Sequence, residues 1–256
     1  MAGRVAQAIE SWCLRKVEGR WTRASADAGN LDPFELRALR AEARTMRHQI
    51  DRLIHEADAR LSRPLVGAEP ERLPLGTDWT WRPDAWRGPL PDPGQVINDT
   101  SSQISDDLAL YHDCPLSEIA LRQLRNTGAA QHAPQALAVE VFGFRGSFLS
   151  LSAAFPEAAV SDLKTRHLVR LDAVIEADRP LRAFARLNLK HSAGLAQLTS
   201  DLPEAAEKHA EFDLAYGKID GARIERVWLD LIFSAPAMTR IVLRDAVVSR
   251  RPRAEL

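Results

Sequence analysis

The sequence predicts an α+β chain: an N-terminal helical hairpin followed by an antiparallel β-sandwich of jelly-roll type. Three observations carry that expectation. Apolar residues recur every three or four positions through the first sixty residues, which lines one face of a helix. Beyond residue 98 residue types alternate with a period of two instead, in short runs set apart by turn residues. Between those runs no amphipathic segment is long enough to serve as the crossover helix of a parallel sheet.

Taken in order, Ile9, Cys13, Val17, Trp21 and Ala24 predict a first helix from Arg4 to about Ala26, ended by Asp27-Ala28-Gly29-Asn30. Asp32 then has the place and chemistry of an N-cap, with Pro33 at the first helical position and Glu35 completing a capping box. The stripe Leu36, Leu39, Ala43, Met46, Ile50, Leu53, Ala57, Leu61 carries a second helix to Ser62-Arg63-Pro64 with nearly heptad spacing. Residues 1–63 therefore read as a helical hairpin, whose stripe is available to pack on the first helix, on the downstream domain or on a partner.

Residues 64–97 form a connector in which seven prolines (Pro64, Pro70, Pro74, Pro83, Pro89, Pro91, Pro93) preclude regular helix and remove ladder donors. It also holds Trp79, Trp81 and Trp86, half of the six tryptophans of the chain. Indoles left exposed in such a segment are costly, so it is expected to strap onto the downstream domain. Two readings fit: a clamp with buried indoles, or a platform on which indole faces stack on a sugar ring.

Residues 98–256 read as the sandwich. Asn98 to Asp107 is polar and turn-rich, and strand-like runs then start at Leu108 and Ile119. Leu137 to Phe142 and Ser147 to Ala153 are expected to pair as a hairpin about Gly143-Phe144-Arg145-Gly146. His167 to Ala177, Arg182 to His191 and Glu211 to Tyr216 continue the pattern. Glu225 to Ser234 and Arg240 to Arg250 are expected to form a terminal hairpin about Ala235 to Thr239. Apolar groups on both faces of Glu225 to Ser234 mark it as a central strand.

Composition limits the function classes. The 256 residues are 45% hydrophobic, enough for a sizeable core, and the formal net charge of −1 supplies no global field for nucleic acid or an anionic membrane. Cys13 and Cys114 lie far apart and suggest neither a disulfide framework nor a metal pair, so a reducing compartment is expected. The N-terminus lacks a secretory pattern and no stretch is apolar enough for a membrane helix, which points to the cytoplasm.

Several segments carry a family resemblance: His112-Asp113-Cys114, Leu121 to Asn126, Gly146 to Leu151, Arg186 to Lys190, Glu211 to Tyr216, Trp228 to Phe233, the Asp78 to Pro83 element, and the tail Ser249 to Leu256. They resemble a family of alphaproteobacteria, chiefly Rhodobacter-like, that is known as a domain of unknown function. That resemblance implies no activity, ligand or catalytic residue. In architecture alone the sandwich half also resembles jelly-roll modules that bind carbohydrate.

No catalytic constellation is legible, and the residues point to no cofactor and no metal. His48 and His55 stand seven apart on one helix without a third ligand. His112 and Cys114 are sequence neighbours, whereas a nucleophile and its base generally come from separate elements, so Cys114 is expected to be a buried structural thiol. Strand alternation instead places Arg170 and Asp172 on one face of their strand, and Arg186, Asn188 and Lys190 on one face of theirs. With Asp213 and Asp230 if the register aligns, these are expected to form one polar sheet surface. It is either a solvated face of cross-strand ion pairs or, with one of Trp79, Trp81 or Trp86 beside it, a site for a saccharide or other polar ligand. Two functions follow: a non-catalytic binding module for such a ligand, or an assembly protein that pairs with itself or another protein through residues 1–62.

Overall fold

The computed structural model describes residues 2–61, 73–126, 133–217, 219 and 223–253. The expected helix stop at Ser62-Arg63-Pro64, Pro70, the Thr127-Gly128 turn, most of the turn after Gly217 and the tail Ala254-Glu255-Leu256 lie outside them. So do the side chains of Ile9, Cys13, His48, His55, Ala57 and Leu61. The chain divides into two compact units, Met1–Arg52 and Leu53–Leu256.

The first unit holds α1 (Ala2–Asp27) and most of α2 (Pro33–Leu61). Asp32 caps α2 as its chemistry requires: its Oδ1 accepts the backbone N–H groups of Phe34 at 2.8 Å and Glu35 at 3.0 Å. The helices are tied by an Arg20–Glu42 ion pair of 2.6 Å and by the Trp21 indole N–H, which donates to Met46 Sδ at 3.1 Å.

The second unit is the sandwich. Its first sheet has the order β11-β8-β13-β6-β5-β2, with β1 added beside β13. These strands are β1 (Trp79–Trp81), β2 (Gly94–Ile97), β5 (Ile119–Arg125), β6 (Gln135–Val141), β8 (His167–Ala177), β11 (Glu207–Asp213) and β13 (Thr239–Pro252). The second sheet has the order β10-β9-β12-β7-β4-β3. It comprises β3 (Ser101–Ser105), β4 (Leu108–His112), β7 (Phe148–Ala154), β9 (Ala183–His191), β10 (Gly194–Asp201) and β12 (Ile224–Ser234). Every described strand pairing is antiparallel. The architecture is the expected antiparallel, jelly-roll-like sandwich.

Strand connectivity corrects two expectations. The segments about Ala235 to Thr239 are not a hairpin: β12 lies in the second sheet between β9 and β7, and β13 lies in the first between β8 and β6. The same holds for β6 and β7, which belong to opposite sheets. Period-two alternation arises whenever one face of a strand is buried, so a corner between two sheets and a hairpin within one produce the same pattern. The β12–β13 corner is made by Ala235 and Met238, both at positive φ (49° and 55°). At the β6–β7 corner a Cβ on Gly146 would stand 2.3 Å from Asp113 Oδ1 and 2.8 Å from the Cys114 backbone nitrogen, so only glycine fits. Asp113 fixes that corner by accepting the Ser147 N–H and hydroxyl.

The described part of the connector, residues 73–97, is more regular than expected. The strap contributes β1, the single helical turn α3 (Asp84–Arg87) and the edge strand β2 to the sandwich unit. Edge positions tolerate the flanking prolines, because one side of an edge strand has no ladder to serve. Asn98 to Asp107, expected as turn, contains β3.

The core lies between the sheets. From β12, Val227, Leu229, Leu231 and Phe233 are buried against inward residues of β8 such as Val169 and Leu171. Trp86 is 1% exposed and donates its indole N–H to the Leu243 carbonyl oxygen at 3.0 Å, which anchors the strap to β13.

Candidate functional site

Pleating sends alternate side chains of the second sheet away from the core. On that outer face the register sets Gln197 of β10 opposite Asn188 of β9, which in turn faces Trp228 of β12; one step along, Arg186 faces Asp230, which faces Ser152 of β7. The polar groups converge. Asp230 Oδ2 accepts from Arg186 Nε at 3.2 Å, Arg186 Nη2 at 3.0 Å and Asn188 Nδ2 at 2.9 Å. Asn188 Oδ1 accepts from Gln197 Nε2 at 2.8 Å.

Burial of this cluster is unusual for an outer face. Asn188 is fully buried, Asp230 is 5% exposed, and Ser150 on the neighbouring β7 is 5% exposed. The Ser150 hydroxyl is buried without a hydrogen-bond partner among the described residues. No hydrogen bond to Asp230 Oδ1 is made among the described residues, so the carboxylate is held by one oxygen. Around the cluster stand Trp228, half-buried with the Arg226 guanidinium 5.5 Å from its ring centre, and the exposed Tyr111 of β4.

The residues expected to share one surface are divided between two. Arg170 and Asp172 lie on the outer face of the first sheet and chelate each other, with Arg170 Nη2 2.7 Å from Asp172 Oδ1. Asp213 is also in the first sheet, 3.3 Å from Arg253. Arg186, Asn188, Lys190 and Asp230 belong to the second sheet, so the single polar row is corrected to two faces on opposite sides of the sandwich, and Asp172 and Asp230 do not approach each other. Short runs of alternation fix which side of its own strand a residue occupies but not which sheet that strand joins.

The strap indoles stand apart from the polar cluster. Trp86 is in the core. Trp79 and Trp81 stack at 6.4 Å and both pack on Phe155, at 5.8 Å and 5.4 Å. Their cross-strand partners are Arg250 and Val248 of β13, in the first sheet.

The thiol chemistry is structural. Cys114 is buried, donates its S–H to the Leu116 carbonyl oxygen at 3.1 Å and accepts the Arg145 N–H at 3.2 Å. His112 Nδ1 accepts the Cys114 backbone N–H, so imidazole and thiol share no hydrogen bond. Among the described residues no group of three His, Cys, Asp or Glu side chains is placed to hold a metal, and no helix is long and apolar enough to cross a membrane.

Five site residues were not singled out from the sequence as ligand-binding: Trp228, Gln197, Ser150, Ser152 and Tyr111. The signal for Trp228 was present, since it stands two residues from Asp230 on an alternating strand. Gln197 lies in the stretch with the weakest alternation. Ser150 and Ser152 alternate with Leu149 and Leu151, but their strand had to be assigned to the second sheet before their facing acquired meaning.

This sandwich with its outer-face polar cluster belongs to the family of unknown function DUF6478, whose model matches residues 1–256. No curated protein shows a significant sequence match. Among solved structures, the enzymatically active domain of tailspike protein 4 from bacteriophage CBA120 aligns with 57% of this chain and 19% of its own, at 7% identity and a TM-score of 0.39. A family 11 carbohydrate-binding module from Clostridium thermocellum, in complex with a mixed-linked tetrasaccharide, aligns over 64% of this chain and 98% of its own, at 9% identity and a TM-score of 0.37. The CBM22-1 xylan-binding domain from Paenibacillus barcinonensis Xyn10C gives 63% and 94%, 9% identity and a TM-score of 0.35. Likeness of this degree is too slight to carry an inference to this chain.

Proposed function

We propose that the sandwich is a non-catalytic binding module and that the outer face of its second sheet takes a saccharide or a similarly hydroxylated polar ligand. The observation that carries this reading is the convergence of Arg186, Asn188 and Gln197 on the 5%-exposed Asp230. A carboxylate buried on an outer face is costly, and one ion pair offsets only part of that cost. The same groups, held in fixed directions, suit adjacent hydroxyls, which donate to a carboxylate and accept from guanidinium and amide. Trp228 and Tyr111 offer ring faces at the margin. The chemistry calls for no proton transfer or covalent step. Titration of a panel of oligosaccharides by calorimetry tests the reading: a ligand is expected whose binding Gln197→Ala weakens and Trp228→Ala abolishes. Silence across the panel, or unchanged binding in both variants, defeats it.

A second reading, association of two copies through residues 1–62, is favoured by one feature of α2. Phe34, Ile50 and Leu53 are 79%, 52% and 70% exposed on a helix of near-heptad spacing. Glu42 and Arg47 are already paired within the chain, with Arg20 and Asp51, so association in this reading rests on the exposed apolar groups. Light scattering is expected to give a dimer that Leu53→Glu dissociates; a monomer at all concentrations excludes it.

A further inference from the structure

The end of the sandwich where β8 passes to β9 holds a feature that neither reading uses. A cavity of about 340 Å³ opens there between the sheets. Its floor is apolar: Ile175 of β8, Ala183 of β9 and Phe233 of β12 all line it, and all three are buried core residues. One charged group enters this wall from the inside. Lys208 alternates on β11 with the core residues Ala210 and Phe212, pairs with Ala173 of β8, and is 8% exposed.

The Lys208 ammonium is only partly satisfied. It donates to the carbonyl oxygens of Pro203 at 2.5 Å and Ala205 at 2.8 Å, which use two of its three donors. No carboxylate pairs with it within ion-pair distance among the described residues, and its direct partners are two backbone carbonyl dipoles. Burial depresses its pKa, opposed by Glu204, an exposed carboxylate that also lines the cavity. At the rim Arg179 stands beside Asp178, whose Oδ1 already accepts the Arg240 N–H at 2.9 Å.

We propose that this cavity is a second ligand site, for a small monocarboxylate with an apolar body, whose carboxylate takes the remaining donor of Lys208 while its body lies on Ile175, Ala183 and Phe233. An apolar floor with one buried, incompletely satisfied cation selects that chemistry: a neutral apolar molecule leaves the last Lys208 donor unmade and an amine meets like charge, while Glu204 and Asp178, which also line the cavity, limit the ligand to a single carboxylate. The site is separate from the outer face of the second sheet.

Benzoate, benzyl alcohol and benzylamine, which share a ring and differ in charge, are the probes, titrated into the full chain by calorimetry. Benzoate is expected to bind with a dissociation constant on the order of 1 mM, at least about tenfold tighter than either of the others. Lys208→Met is expected to remove that preference. Ala177→Phe, at an exposed rim position away from the core, is expected to abolish benzoate binding and keeps the test decisive should Lys208→Met fail to fold. No benzoate binding, equal binding of benzyl alcohol, or benzoate binding untouched by Ala177→Phe would each overturn the proposal.

Discussion

Asn188 Nδ2 lies 2.9 Å from Asp230 Oδ2, a diagonal contact between β9 and β12 on the outer face of the second sheet, and both residues are buried. Asn188 faces Trp228 and Asp230 faces Arg186 across the same ladder, so the contact joins two adjacent rows of the face. Asp230→Ala should leave Asn188 and Arg186 without their shared acceptor and destabilise the sandwich by about 1–3 kcal/mol. The midpoint of urea unfolding measures this. A change within error would mean that the cluster is not held by the carboxylate.

Trp86 gives the strap its hold. The side chain is 1% exposed and its N–H is satisfied by Leu243. Trp86→Ala is expected to destabilise by about 3–5 kcal/mol, with loss of the protection of β13 amides from hydrogen exchange near Leu243. Trp86→Phe keeps most of the volume but strands that carbonyl, and should cost less. If Trp86→Ala proved nearly neutral, the strap would be a passenger on the first sheet.

His167 predicts the pH response. It is buried beside β13, its Nδ1 accepts the Lys164 N–H at 3.1 Å, and burial holds its pKa below the ordinary 6.5, reinforced by Arg250, Arg166 and Lys164 against Asp78. A group whose folded pKa is depressed contributes stability that is complete above the unfolded value and is lost as pH falls. Stability should therefore decline as pH drops below about 6.5, and His167→Gln should flatten that limb. An equally steep decline in the variant would assign the effect to carboxylates.

The fold was legible in the sequence because burial of one face imposes a period on each strand, and Leu229, Leu231 and Phe233 or Val169 and Leu171 repeat it cleanly. Connectivity was not, because the four residues between Ser234 and Thr239 turn the chain from one sheet to the other through two positive-φ positions at Ala235 and Met238, and neither alanine nor methionine advertises such a conformation. The same limit scattered the candidate site. Facing told that Arg170 and Asp172 share a side, and separately that Arg186 and Asn188 do, but sheet membership depends on pairings between strands distant in sequence, such as β9 with β12. Lys208 was invisible for a related reason: on β11 it takes a position that the alternation reserves for apolar residues, and a lysine there reads as a strand end rather than a core position.

The claim that the outer face of the second sheet is a binding surface is tested most directly by calorimetric titration of one bound oligosaccharide, found on a glycan array, into the wild type, Trp228→Ala and Trp81→Ala. The account predicts binding to the wild type and to Trp81→Ala, whose indole belongs to the first-sheet side, and none to Trp228→Ala. Loss of binding in Trp81→Ala with retention in Trp228→Ala would contradict it.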